Sequence, residues 1–482
     1  MRQVLAALAI VWCAGAIPGM AQSRAKSDSH QTLVRLSVSA IDAKGDPVAD
    51  LRTADIQVRE DGSPREVVFL RFAGGKRAMA APGADEFFNR RTPPSTIVLL
   101  DRWNERATTL ATAWQDVTAA LSHLESVDRL YLYFLSAHGD LFPVRALPGA
   151  DADLRPVETP DAAALIAKLN DAVRTLSGIR DVDTRDAVLR ANTTFQALGT
   201  LKRADLSAGR KNLIWVTHGI PMRATLPDGK WADFAVPVQT LGQSAAQSQL
   251  VMYTVAQSVE GAGADPTDMD KQTLKTLSAL TGGRSYATGM TGTAIADAMA
   301  DARGSYRLAY YSPVREGDKK EHKIRVDSAR KGIRLLTAES YVASEPDGDL
   351  DRLADVTFGT LSHCPFDAAE ITLRAVLSRA EAPGTVHIEV HVDPADVLLE
   401  RRGGELQGSL TMRCAIYSNG VMMGVLPRVQ KDLAFTEEQL NGLRDGIVMS
   451  QDVQVSRPNQ QVRVMVFDRA LHSLGSVTVP TK

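Results

Sequence analysis

Two polar segments follow apolar runs in a way that could create a ligand site. The segment Asp101 to Glu105 comes directly after the run Ile97 to Leu100, and His218 comes shortly after the run Leu213 to Val216. In open parallel sheets ligands collect beyond the carboxyl ends of the strands, so these segments are expected to lie close together. Carboxylate, amide and imidazole groups can jointly hold a divalent cation. The candidate metal ligands are Asp101, Asn104, Glu105 and His218.

A positive charge at Arg102 works against a cation at this position. The favoured interpretation is therefore that Asp101 caps a following helix and orders the loop. On this view no cofactor is bound, and a divalent cation such as Mg²⁺ held by Asp101, Glu105 and His218 is the alternative.

Trp103 suggests a second use for the same segment. An aromatic side chain at a strand-end loop is a good anchor for a protein partner, although it can equally pack under a neighbouring helix. With Trp103 as anchor, Arg102 and Arg106 would be rim contacts. The candidate partner-binding residues are Asp101, Arg102, Trp103, Asn104 and His218.

Another histidine cluster lies on one predicted strand. His387, Glu389 and His391 alternate with apolar residues, so they share one face of the strand, where a zinc ion could bind. No further ligands are evident, and a solvated strand face is the favoured interpretation. The sequence also lacks a Gly-x-Ser-x-Gly elbow and a phosphate-binding glycine loop, so we expect a binding protein and not an enzyme.

The elements that must position Asp101 and His218 follow from hydrophobic periodicity. Nearly continuous apolar runs at Thr96–Leu100, Leu130–Leu135, Asn212–Val216 and Val251–Val255 are typical of strands buried on both faces. Helical patterns lie between them. Strands alternating with helices predict an α/β fold with a doubly wound, Rossmann-like parallel sheet over residues 93–345, with trailing strands that complete and flank the sheet.

All-β units are predicted on both sides of this domain. Residues 31–72 alternate as a small N-terminal β unit, and residues 356–482 have the short strands and turns of a β-sandwich. Residues 73–92 and the acidic stretch 346–355 are predicted to be linkers.

The N-terminus and the overall charge indicate where the protein acts. Arg2, an apolar run and a small-residue exit predict a signal peptide over residues 1–21, and no later run is long enough for a membrane helix. We therefore expect a secreted or periplasmic protein. A net charge of -2 without a basic stripe argues against nucleic acid as a partner. In the mature chain Cys364 and Cys414 are a candidate disulfide, although two free thiols remain the alternative.

Several of these segments resemble the bacterial VWFA-related family best known from acidobacteria. The resemblance is carried by Val34–Val38, Ile56–Gly62, Ile97–Asp101, Gly209–Val216, Thr281–Tyr286 and Tyr306–Tyr311. It implies a von Willebrand factor A-like domain, secretion and protein binding, and it names no substrate.

Metal-binding A domains carry Asp-x-Ser-x-Ser at the first strand end. Here Trp103 and Glu105 stand at the two serine positions, and His218 stands where a second carboxylate is usual. The resemblance therefore implies a degenerate metal site and an adhesion-type scaffold that binds a protein or cell-envelope partner. An envelope hydrolase or a metal-dependent adhesion domain using Asp101, Glu105 and His218 is the alternative.

Overall fold

The computed structural model describes most of the chain from residue 31 onward. The described ranges are 31–74, 83, 85–91, 93–104, 107–124, 126–157, 161–177, 186–204, 208–226, 228–257, 268–343, 348–455 and 459–481. The predicted signal peptide, Glu105 and Arg106 lie outside them. Within the described part no helix is long and apolar enough to cross a membrane.

The chain is a mixed α/β protein. The helices are α1 (Ala107–Leu121), α2 (Ala162–Ser177), α3 (Ala187–Ala204), α4 (Ala235–Gln247), α5 (Asp268–Thr281), α6 (Thr291–Arg303), α7 (Leu350–Ser362) and α8 (Glu437–Gly442). The strands are β1 (Thr32–Ile41), β2 (Ile56–Glu60), β3 (Ser63–Arg65), β4 (Val67–Phe72), β5 (Glu86–Phe88), β6 (Ser95–Asp101), β7 (Leu130–Leu135), β8 (Leu141–Arg145), β9 (Lys211–Thr217), β10 (Arg223–Thr225), β11 (Trp231–Asp233), β12 (Leu250–Ala256), β13 (Ser285–Tyr286), β14 (Ser305–Ser312), β15 (Glu321–Ser328), β16 (Arg334–Leu336), β17 (Ser340–Val342), β18 (Leu373–Arg379), β19 (Thr385–Val392), β20 (Glu400–Arg402), β21 (Glu405–Ser418), β22 (Val421–Val425), β23 (Val429–Phe435), β24 (Ile447–Gln454), β25 (Gln460–Asp468) and β26 (Leu474–Pro480).

The central sheet has the strand order β13-β12-β9-β6-β7-β8. Its pairs are parallel except for β7 with β8, which is antiparallel. The four apolar runs that predict buried strands all lie in this sheet. Because all the parallel strands point the same way, the ends of β6 and β9 meet at one edge, which we call the carboxyl edge.

Helices cover both faces of the central sheet. Val98 and Leu100 pack with α1, α2 and α6 on one face, while Ile97 and Leu99 pack with α3, α4 and α5 on the other. Side chains alternate between the faces of a strand, so an apolar run without polar interruptions is required here. Each fully buried Leu or Ile contributes about 1.5–3 kcal/mol to this double core.

The trailing strands differ from the prediction. They do not extend the parallel sheet, because β14 pairs with β1 and β4, β15 pairs with β2, and β16 pairs with β1. The predicted N-terminal unit is therefore completed by strands from the far side of the α/β segment. Its strands need partners to bury their apolar faces, and β14 supplies Tyr306, Leu308 and Tyr310 to their common core.

Both predicted linkers contain regular structure. Residues 86–88 form β5, which pairs with β18, because Phe87 packs into the core of the C-terminal region. In the acidic stretch, Leu350 begins α7, and the Asp349 side chain accepts hydrogen bonds from the Asp351 and Arg352 amides. The acidic residues at this junction include a helix N-cap, which the prediction treated as a solvated linker residue.

The C-terminal region contains two antiparallel sheets, β24-β19-β18-β5 and a larger sheet built on β21. They share one apolar core, to which β19 contributes Ile388 and Val390 and β21 contributes Leu410 and Met412. Helix α7 packs its Phe358 and Leu361 against the outer face of the β21 sheet.

The candidate disulfide is not formed, and both cysteines are free and buried. Cys414 faces the core between the two C-terminal sheets. Cys364 packs with Ala415 and Tyr417, which point to the opposite face of β21. The sheet therefore separates the two thiols, which corrects the bridged alternative.

Candidate functional site

Asp101 ends β6 at the carboxyl edge, and its side chain is fully buried. Oδ2 accepts hydrogen bonds from Asn104 Nδ2 at 2.7 Å, Thr217 Oγ1 at 2.7 Å and Trp215 Nε1 at 3.1 Å. Oδ1 accepts one from the Asn104 amide at 3.0 Å. The carboxylate is thus occupied in joining β6 to β9 and in ordering the loop after β6.

Burial raises the pKa of Asp101, because the charged form loses its hydration. The hydrogen bonds from Asn104, Thr217 and Trp215 act in the opposite direction, because they stabilise the carboxylate. The charged form of Asp101 therefore depends on these hydrogen-bond donors for its stability in the core. Such a carboxylate, enclosed by protein donors, is poorly suited to accept a metal ion or to reach a partner.

Arg102 and Asn104 are also buried. The Arg102 guanidinium donates to the Leu176 carbonyl at the end of α2. Asn104 Nδ2 donates to Thr194 Oγ1 at 2.8 Å, and Asn104 Oδ1 accepts from Arg190 Nη2 at 3.2 Å. Three of the candidate partner-binding residues, Asp101, Arg102 and Asn104, are thus buried with their side chains hydrogen-bonded inside the protein.

Trp103 is half-buried and packs against the core on the α3 face of the sheet. Its Nε1 donates to the Arg190 carbonyl in the first turn of α3 at 3.2 Å. Of its two possible roles, this geometry agrees with packing against the neighbouring helix.

His218 follows β9 at the same edge and is half-buried. Thr217 and Gly219 form the turn beside it, with the Gly219 amide donating to Thr217 Oγ1 at 2.9 Å. Glu105, the remaining candidate metal ligand, lies outside the described residues. Of the predicted set, the described contacts join Asp101 to Asn104, and they add Thr217, which the sequence analysis did not single out.

The second histidine cluster separates into pairs. His387 Nδ1 lies 2.6 Å from Asp452 Oδ1, whereas His391 Nε2 lies 2.8 Å from Glu389 Oε1. His391 Nδ1 also lies 2.9 Å from the Asp445 carbonyl oxygen. Among the described side chains no group of three or more His, Cys, Asp or Glu residues is arranged to hold a metal ion.

The carboxyl edge has an exposed apolar surface that the sequence analysis missed. Strands β10 and β11 form a separate hairpin between β9 and α4, and Trp231 on that hairpin is 64% exposed. Two other exposed apolar side chains lie in the first turns of helices, Leu189 on α3, 48% exposed, and Val236 on α4, 72% exposed. We call Leu189, Trp231 and Val236 the strand-end surface.

The hairpin is held in place by its other face. Ala224 and Ala232 pack into the α3-side core, and the Phe234 ring lies 6.4 Å from the Phe195 ring. Because Trp231 alternates with Ala232, its side chain points outward. The Asp228-Gly229 pair, a strong hairpin-turn signal, could have identified this element from the sequence.

No family model and no curated protein matches the chain. Among solved structures it is similar to an aerotolerance-related membrane protein from Bacteroides fragilis, with 11% identity, a TM-score of 0.27, and coverage of 43% of this chain and 98% of that one. It is also similar to the pilus adhesin SpaC from Lactobacillus rhamnosus GG, with 10% identity, a TM-score of 0.29, and coverage of 90% and 57%.

For the human COPII-coat protein Sec24c the identity is 11%, the TM-score is 0.23, and the coverage is 82% of this chain and 44% of that one. The chain therefore spans only about half the length of the adhesin and of the coat protein. TM-scores this low carry no argument about function.

Proposed function

We propose that the chain is an exported, non-catalytic scaffold that binds a protein partner of the cell envelope through its strand-end surface. The observation that carries this proposal is the exposure of Trp231, 64%, on a hairpin at the carboxyl edge. Tryptophan is enriched among the residues that dominate binding energy at protein interfaces. Trp231 therefore replaces Trp103 as the proposed aromatic anchor, and the partner is still expected to bind at the strand ends.

The surroundings of Trp231 support a protein interface. Arg223 Nε lies 3.0 Å from Asp233 Oδ2 on the same hairpin, and Lys230 Nζ lies 3.1 Å from Asp228 Oδ2. These exposed ion pairs would form a polar rim around an apolar centre, which is the usual anatomy of an interface.

The proposed evolutionary origin is a von Willebrand factor A-like domain with a degenerate metal site. The parallel sheet with helices on both faces is compatible with such a domain. The buried Asp101 carboxylate, which accepts four hydrogen bonds from protein groups, supports a structural role in place of metal binding. The same observation makes an envelope hydrolase based on Asp101 the weaker candidate.

Site-specific photo-crosslinking in the native host tests the proposal. Benzoylphenylalanine is introduced at Trp231, and at Val356 as a matched exposed control on α7 that is 61% exposed. We expect one discrete protein adduct from position 231 that is absent from position 356. No adduct at position 231, or the same adducts at both positions, would remove the strand-end surface as the binding site.

A substrate screen tests the hydrolase alternative. The purified chain is assayed against ester, peptide and glycoside substrates, with and without Mg²⁺, Mn²⁺ or Zn²⁺. We expect no turnover, and a turnover that Asp101→Ala abolishes would favour the enzyme.

A further inference from the structure

Four basic side chains lie at the edge of the central sheet where the parallel strands begin, which we call the amino edge. Arg129 directly precedes β7, and Lys211 is the first residue of β9. Lys202 and Arg203 lie in the last turn of α3, the helix that precedes β9 in the chain. We call these four residues the basic cluster. It lies at the opposite end of the strands from the carboxyl edge.

The strand register places the cluster on the face of the sheet that α3 covers. Ser95 of β6 is the Cα partner of Lys211, and Arg129 Nη2 donates to Ser95 Oγ at 2.6 Å. Leu213 packs in the α3-side core, and side chains alternate along a strand, so Lys211 points to the same face. Leu201, in the last turn of α3, packs in that core as well. The end of α3 and the start of β9 therefore share one side of the sheet.

Two of the four cations are nearly buried. Arg129 is 7% exposed and Lys211 is 8% exposed. The Phe366 ring covers the Arg129 guanidinium, whose carbon lies 3.7 Å from the ring centroid. Arg129 Nε and Nη1 are buried without a hydrogen-bond partner in the described part of the chain. A buried charge is costly unless it is compensated, so this arginine requires a counter-charge nearby.

The electrostatic potential at Lys202 is positive. Its pKa is lowered, first because burial removes hydration and then because Arg203 and Lys211 repel the ammonium charge. Within the described ranges no carboxylate forms an ion pair with Arg129, Lys202 or Arg203. The C-terminal end of a helix attracts cations, which accounts for Lys202 and Arg203. It does not account for Arg129 or Lys211, which lie at the strand starts.

We propose that the basic cluster binds a phosphate-type oxyanion. Arg203 is exposed and Lys202 is half-buried, so their side chains reach a dissolved anion and form charge-assisted hydrogen bonds with it. Arg129 and Lys211 add positive charge from the more buried side, which favours a doubly charged anion over chloride. The bound anion supplies the counter-charge that Arg129 requires. The site is independent of the strand-end surface, so either can fail without the other.

Calorimetric titration of the chain from residue 22 onward with inorganic phosphate tests the proposal. The ionic strength is held constant with sodium chloride, because screening alone weakens the repulsion among the four cations. We expect saturable binding of one phosphate per chain and a thermal midpoint that rises with the phosphate concentration. No saturable binding, or a rise of the midpoint that chloride reproduces at the same ionic strength, would overturn the proposal.

Matched variants test the residues of the site. Lys202→Gln and Arg203→Gln should each weaken phosphate binding about tenfold, which is the cost of one charge-assisted hydrogen bond. Lys275→Gln is the control, because Lys275 is exposed on α5, outside the cluster, and should leave the affinity unchanged. Retained affinity in both cluster variants, or equal weakening by all three, would refute the site.

A further variant tests for a counter-charge within the protein. Asp205 is the acidic residue that follows α3 in the sequence, and it lies outside the described residues. We expect the wild type to bind phosphate and Asp205→Asn to bind it at least as tightly. Binding by Asp205→Asn alone would assign the counter-charge to Asp205 and overturn the proposal.

The same titration with a phosphodiester distinguishes two sources of the phosphate group. Glycerophosphoglycerol carries the phosphate between two alcohols, as a larger envelope molecule would. Binding of inorganic phosphate alone supports free phosphate as the ligand, whereas binding of both supports the phosphate group of a larger molecule. Trp231→Ala should leave both affinities unchanged, and a loss of phosphate binding in that variant would refute the independence of the two sites.

Discussion

The side chains of Asp101 and Trp215 are joined across neighbouring strands, with Trp215 Nε1 donating to Asp101 Oδ2 at 3.1 Å. Both side chains are fully buried. The position that would hold a metal in the A domains that the sequence resembles is used here to connect β6 to β9. This contact gives Asp101 a structural role that does not require a bound ligand.

Replacing Asp101 tests this structural role. Asp101→Ala leaves the buried donors of Asn104, Trp215 and Thr217 without their acceptor, and each unsatisfied donor costs about 1–3 kcal/mol. We expect the free energy of unfolding to fall by about 4 kcal/mol in denaturant titrations. Thr217→Val removes one donor to Asp101 and also the acceptor of the Gly219 amide, so it should cost about 1–3 kcal/mol. A loss below 1 kcal/mol in Asp101→Ala would contradict the role.

Thermal unfolding of the wild type and of Asp101→Ala tests whether a metal is bound. Selective binding to the folded state at about 100 times the dissociation constant stabilises by roughly 2.7 kcal/mol. Because protein donors occupy the Asp101 carboxylate, we expect millimolar Mg²⁺, Mn²⁺ or Ca²⁺ to leave the thermal midpoint unchanged. An upward shift that disappears in Asp101→Ala would revive the metal site, with Glu105 among its candidate ligands.

The long apolar runs made the central sheet predictable. The apolar run Ile97 to Leu100 would place apolar side chains in solvent if one face of the sheet were exposed. The sequence therefore predicts helices on both faces. The partner of β1 was not predictable in the same way. Its pairing with β14 depends on residues about 270 positions away, and hydrophobic alternation reports burial without naming the neighbouring strand.

The candidate site was predicted in position but not in exposure. Spacing placed Asp101 and His218 at one edge, but the burial of Arg102 depends on α2, whose Leu176 carbonyl accepts from it. Trp231 was missed because β10 and β11 have three residues each, too few to show a period. Asp349 was misinterpreted because an acidic helix N-cap has the same composition as an acidic linker.

The two cysteines should react as free, protected thiols. Non-reducing peptide mapping of the folded protein should show no bridge between Cys364 and Cys414. A thiol reagent at pH 8 should label neither in the native state and both after denaturation, because both are buried. A recovered Cys364–Cys414 bridge would contradict their placement on opposite faces of the β21 sheet.

Burial raises the pKa of the Cys414 thiol from its ordinary value of 9.0 to about 12, because the thiolate would lose its hydration. The folded state therefore keeps a proton that the unfolded state loses as the pH rises. The stability from this protonated thiol is fully present below pH 9 and is lost toward pH 12, by about 1 kcal/mol per pH unit. The stability difference between wild type and Cys414→Ala should shrink from pH 9 to pH 11, and a constant difference would contradict the assignment.

Two glycines should respond to alanine with opposite signs. A Cβ at Gly283 would lie 2.0 Å from the Met252 carbonyl oxygen, so the backbone beside β12 must shift. Gly359 lies within α7 and has nothing within 4 Å of its Cβ position, so alanine there gains only helix propensity. We expect Gly283→Ala to lower the free energy of unfolding by about 2 kcal/mol or more, and Gly359→Ala to raise it by about 0.8 kcal/mol. Chemical denaturation of the two variants beside the wild type measures both changes. A neutral Gly283→Ala would mean that the chain after α5 does not pass this close to β12, and a destabilising Gly359→Ala would mean that the α7 surface is covered.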